Sequence, residues 1–117
     1  HLARAVAAGL LADRVGALRV FTAHGAPEDV RRCAPGLADA DGEVRAAAVT
    51  AVLALDANQG VPLIEPLVKD EADGVRVAIL EAIAKAPPHP AGVRVVVALS
   101  RDRNDLVRLL AVTALAK

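Results

Sequence analysis

The chain has 117 residues, 14 of them basic and 14 acidic, so no long-range field draws it toward nucleic acid or an anionic membrane. Hydrophobic residues make up 55% of it and aromatics only 1%, which argues for a core of Ala, Val and Leu and against an aromatic platform for stacking bases or a tetrapyrrole. No run of about 20 apolar residues exists to span a bilayer, and the single cysteine allows no internal disulfide, as expected of a cytoplasmic protein.

In chain order, Leu2–Ala12 has the apolar character of a signal segment, but it carries Arg4 and runs on into helical patterning. The chain lacks an initiating methionine, which leads to the expectation of a processed or excised product. From residue 27 onward a unit recurs. Asp39, Asp70 and Asp102 each precede an arginine by six residues, Arg45, Arg76 and Arg108, and each arginine follows a valine. Superimposing these segments needs shifts of 31 and 32 residues, a period that marks stacked supersecondary units.

Relative to each arginine, Val44, Val75 and Val107 stand one before, and Ala48, Ile79 and Ala111 three after. Ala51, Ala82 and Ala114 stand six after, and Val52, Ile83 and Leu115 seven after. Those offsets share one face of a helix. Upstream, Cys33, Ile64 and Val96 align, as do Leu37, Val68 and Ser100, so each unit is a pair of antiparallel helices.

The helices are expected at 27–39, 42–55, 62–70, 74–86, 91–101 and 105–116. Pro27, Pro62 and the cluster ending at Pro90 fall where a first helix should begin. Asp41-Gly42, Asp73-Gly74 and Asn104-Asp105 supply capping oxygens ahead of the second helices. Pro35 and Pro66 fall at matching places inside first helices, so a kink should recur there. Val93–Leu99 is valine-rich and alone reads as a strand, but the period assigns it to a helix.

Residues 1–26 read as a degenerate copy. Shifting back 31 residues puts Arg14 under Arg45, Ala17 under Ala48 and Phe21 under Val52, with Ala8 in place of the aspartate. A second register pairs Asp13 with Arg19 at the same spacing of six. The result is one all-α domain over residues 1–117, a superhelix of about four helix pairs divided at 1–26, 27–57, 58–88 and 89–117.

The segments LADADGEVRAAAVTAV, VKDEADGVRVAILEAI and SRDRNDLVRLLAVTAL resemble HEAT repeats, in particular the short PBS-lyase HEAT-like variety. The resemblance covers residues 27–117 and, weakly, 1–26. It implies a right-handed superhelix whose second helices line the concave side, with a scaffolding or adaptor role. The subfamily's name also raises a chromophore-lyase reading, and helical-repeat DNA glycosylases raise a nucleic-acid one; low aromatic content and balanced charge argue against both.

Candidate chemistry is sparse, and no catalytic residue, metal site or cofactor is expected. Cys33 aligns with Ile64 and Val96 and reads as a small core residue. His24 closes a helix, His1 belongs to a terminus and His89 sits in a proline turn; no two histidines share ligand spacing, and no Gly-rich phosphate loop or His-Glu pair of the HEAT-like iron hydroxylases is present. A catalytic pair repeated in every unit has no purpose, so Asp39, Arg45, Asp70, Arg76, Asp102 and Arg108 read as a structural ladder in which each arginine reaches its own and the adjacent turn.

Binding is then expected on the exposed stripe of the second helices. One residue past each arginine stand Val15, Ala46, Val77 and Leu109; five past, Arg19, Thr50, Glu81 and Thr113; eight past, Thr22, Leu53, Ala84 and Ala116. Stacked, these form shallow rows of mostly small residues suited to a partner helix or peptide. The last helix carries Leu106, Val107, Leu109, Leu110, Val112 and Leu115, more apolar positions than one packed face needs. Further repeats or a second copy packing end to end should cover it, with Leu106→Glu or Leu110→Glu favouring the monomer.

Overall fold

The computed structural model describes residues 11–116, and every regular element among them is helical. His1 and Ala8 lie outside the described residues. Helix α1 spans Leu11–His24. A bent first helix follows, α2, whose α-helical turn Val30–Cys33 lies between the tighter turns Pro27–Asp29 and Ala34–Ala38. Then come α3 (Gly42–Leu55), α4 (Ala57–Ile64) continued by a 3₁₀ stretch at Glu65–Lys69, α5 (Asp73–Lys85), α6 (Pro90–Leu99) and α7 (Asp105–Leu115).

The kinks follow from the prolines. Pro35 and Pro66 have no N–H to donate to the carbonyls of residues 31 and 62, so the α geometry ends just before them and the chain tightens to 3₁₀. In α6 the matching residue is Ala98, and that helix stays α-helical to Leu99. The valine run is helical: Val95, Val96 and Leu99 are buried and Val93 and Val97 exposed, a helical alternation rather than that of a strand.

Two boundaries differ from the sequence reading. Helix α4 begins at Ala57, not 62, because Asp56 caps it, accepting from the amides of Asn58 and Gln59 at 3.0 and 3.4 Å. The unit boundary after residue 57 therefore falls within its first turn, and Pro62 lies inside the helix on its exposed side. Asp73 is the first residue of α5 rather than its cap; its carboxylate pairs with Arg76 and accepts from Asn104 Nδ2 at 2.9 Å.

The core runs the length of the stack. Val44, Val75 and Val107, with Ala48, Ile79 and Ala111, are fully buried, and Cys33, Ile64 and Val96 meet them from the first helices. The molecule measures 41 × 25 × 19 Å. Helix α3 packs extensively on α1 and α5, and α5 on α7, whereas α4 and α6 touch at few points. The second helices are therefore the more closely packed side of the stack.

Candidate functional site

Each ladder aspartate closes the turn between the two helices of its unit. Asp39, Asp70 and Asp102 accept through Oδ1 from the amide two residues on, at 2.9 Å in all three turns. This holds each carboxylate toward the preceding unit, where an arginine meets it. Arg45 Nε and Nη2 lie 2.8 and 3.0 Å from the oxygens of Asp70, and Arg76 Nε and Nη2 lie 2.7 and 3.1 Å from those of Asp102. These are forked, charge-assisted pairs. Arg14 Nε lies 3.0 Å from Asp39, which puts Arg14 in the register of Arg45 and leaves Asp13 and Arg19 exposed and outside the ladder.

The spacing of six has a second meaning. Arg45 Nη1 donates to the carbonyl of Asp39 at 2.8 Å and Arg108 Nη1 to that of Asp102 at 2.7 Å; Arg76 does the same to Asp70. Arg45 and Arg76 thus bind their own turn through a carbonyl and the next unit through a carboxylate, whereas the carboxylate partner of Arg108 is Asp105 of its own helix. Burial alone raises the carboxyls of Asp70 and Asp102, but the Arg45 and Arg76 forks, backbone amides and neighbouring arginine charges outweigh it and hold both below the usual carboxylate range. Arg76 is 1% exposed. These groups are saturated by one another, and neither cleft described below is lined by them.

Cys33 is fully buried, and desolvation, followed by the charge of Asp29, pushes its thiol up to about 11, an unreactive state. His89 caps α6, its Nδ1 accepting from the Ala91 amide at 3.0 Å. His24 is exposed in the last turn of α1. Among the described residues no cluster of three His, Cys, Asp or Glu is placed to hold a metal ion.

Of the three rows expected to face a partner, the middle one is open throughout: Arg19, Thr50, Glu81 and Thr113 are all exposed. In the first row Leu109 is 62% exposed, Ala46 and Val77 are half-buried and Val15 is buried. The third row is broken. Ala84 and Ala116 are exposed, but Leu53 is buried and belongs to the core. A Cβ built on Gly60 would stand 3.1 Å from Leu53 Cδ2, so the long side chain folds back onto α4 where an alanine stops short.

Two clefts open on the stack. A shallow groove of about 290 Å³ crosses the second helices; Val15, Arg19 and Thr22 of α1 and Ala46, Ala47 and Thr50 of α3 form its floor, between Glu43 and Ala78. A larger cleft of about 710 Å³ lies among α5, α6, α7 and the Pro87–Pro90 linker. Its sequence signal is the replacement of Leu53 and Leu55 by Ala84 and Ala86 at equivalent places; Glu81, Ala84 and Thr113 belong to the stripe expected to bind, whereas Ala86 and the proline wall do not.

A family model described as HEAT repeats matches residues 30–116. No curated protein and no solved structure matches the chain.

Proposed function

The chain belongs to the HEAT-repeat family, and from the groove across its second helices we propose that it is a non-catalytic adaptor that binds a helix or extended peptide of a protein partner on its concave face. HEAT repeats commonly mediate protein–protein scaffolding. The observation that carries the reading is the open row Arg19, Thr50, Glu81 and Thr113, whose first two members line the groove together with Ala46, Ala47 and Ala78. Small side chains let a partner helix approach closely, and an exposed polar row can fix its register.

Other partner classes lack support. Basic and acidic residues are equal in number, and Phe21, the lone aromatic, is buried, so neither a phosphate backbone nor a tetrapyrrole ring has a platform. No helix among the described residues is long and apolar enough to cross a membrane. A buried, unpaired cysteine suits a reducing compartment, and on that ground we assign the protein to the cytoplasm. We treat residues 1–117 as one repeat domain, with the expected end-to-end self-association through α7 as a further contact.

A photo-reactive side chain at Thr50 in the groove, compared with one at exposed Asn58 on the first-helix side, tests the reading in cells of origin. Partners captured at Thr50 and not at Asn58 support it. Equal capture at both places refutes it.

A further inference from the structure

We propose that the cleft among α5, α6, α7 and the Pro87–Pro90 linker is an anchor pocket for leucine-type aliphatic side chains of a partner protein, a ligand class no sequence feature of the chain specifies directly. Its origin lies in a comparison of two quasi-equivalent junctions. Leu53 and Leu55 are 3% and 9% exposed; Leu55 reaches back to Gly25 in the turn after α1, while Leu53 fills the space between α3 and α4. A Cβ on Gly60 there would lie 2.7 Å from the Val52 carbonyl oxygen and 3.1 Å from Leu53 Cδ2.

One unit later the same positions are Ala84, Ala86 and Gly92. A Cβ on Gly92 would meet only Ile83 Cγ2, at 4.0 Å. The junction lacks the isobutyl group that Leu53 lays over Gly60, Ala86 is shorter than Leu55 at its edge, and the resulting cleft of about 710 Å³ falls in the size range of ligand pockets.

The cleft does not close over this deficit. Three prolines, Pro87, Pro88 and Pro90, form one wall, and their fixed φ removes the backbone freedom that collapse would use. Its interior is lined by Ile83, Val96, Leu110 and Leu115, with Glu81 and Thr113 joining it to the exposed row of the second helices.

The lining also discriminates among occupants. Among the described residues no arginine or lysine lines the cleft, and His89 has its Nδ1 committed to the Ala91 amide. A fatty acid or phosphorylated cofactor would bring an anion that none of these lining residues neutralises. Aliphatic side chains carried on a neutral peptide backbone leave no such charge unmatched, and the chain's own Leu53, lying over Gly60, is the template for them.

The inference deepens the adaptor reading and is tested apart from it, because small probes replace the unknown partner. Methyl NMR of the protein is followed during titration with N-acetyl-leucine methylamide, N-acetyl-alanine methylamide and decanoate. Saturable shifts at Ile83, Val96, Leu110 and Leu115 are expected with the leucine probe, and binding weaker by about tenfold or more with the alanine probe.

Ala84→Leu with Ala86→Leu should abolish the shifts and raise the melting temperature. Gly92→Leu, which grows into the cleft from α6, should abolish them independently. Absence of saturable shifts in the unmodified protein, their persistence in a folded filled variant, or tighter binding of decanoate would overturn the proposal. Failure of Thr50 cross-linking would remove the groove reading and leave this result standing.

Discussion

Replacing Arg76 by alanine should cost the fold about 3–5 kcal/mol, the usual loss when one partner of a buried ion pair is removed. Arg76 is 1% exposed. It holds both oxygens of Asp102, at 2.7 and 3.1 Å, together with the Asp70 carbonyl and the Asp73 carboxylate. Without it, Asp102, whose side chain is 7% exposed, keeps the Asn104 amide at 2.9 Å and the charge of Arg103 but loses its forked partner. Arg108 supplies the internal reference. It has the same chemistry, but its side chain is 43% exposed and its acidic partner Asp105 is nearly fully exposed, so Arg108→Ala should cost about 0–1 kcal/mol. Glu81→Ala, on the exposed row, belongs with Arg108. Urea unfolding followed by far-ultraviolet circular dichroism separates the variants, and for a domain of this size the Arg76 loss corresponds to a fall in melting temperature on the order of 10–20 °C. Coincident midpoints for Arg76→Ala and Arg108→Ala would refute the assignment of stability to the cross-unit fork.

Asp70 and Asp102 titrate below the usual carboxylate range, so each contributes stability that is fully present above the unfolded value of about 3.9 and is lost as pH falls through the lower folded value. The unfolding midpoint should stay level down to about pH 5 and drop below it, with a shallower drop in Asp102→Asn; an unchanged acid limb in that variant would remove Asp102 from the cause. Gly60→Ala should destabilise because its Cβ would lie 2.7 Å from a backbone oxygen, whereas Gly92→Ala, with nothing closer than 4.0 Å, should be neutral or stabilising by up to about 1 kcal/mol; thermal melts that reverse this order would contradict the comparison of the two junctions. Leu106, 52% exposed on α7, is the clean probe of self-association, since Leu110 packs against the core. Leu106→Glu should shift a concentration-dependent sedimentation profile toward monomer while leaving the melt unchanged, and a wild-type chain that is monomeric at every concentration would dismiss that contact.

The helix pairs were legible because core positions recur at offsets a helix must place on one face: Val44, Ala48 and Val52 follow the same rule as Val75, Ile79 and Ile83. The true start of α4 has a sequence signal too. Asp56 and Gln59 form an acid-x-x-Gln cap, and Gln59 Nε2 donates to Asp56 at 3.0 Å, but Pro62 offers a competing start beyond Ala57. The destination of the ladder carboxylates is not written in the spacing of six, because Asp70 and Arg45 are 25 residues apart and meet only through stacking. Leu53 shares its offset with Ala84 and Ala116, and only its length, set against the missing side chain of Gly60, buries it. The larger cleft escapes a reading that seeks functional groups, since it is made by side chains that are too small.

A double-mutant cycle on Arg45→Ala and Asp70→Ala tests most directly whether successive units are tied by these forks. With contacts of 2.8 and 3.0 Å between the two side chains, the coupling energy from urea unfolding should be about 1.5–3 kcal/mol. Additive effects, within about 0.5 kcal/mol, would contradict the ladder as the link between units.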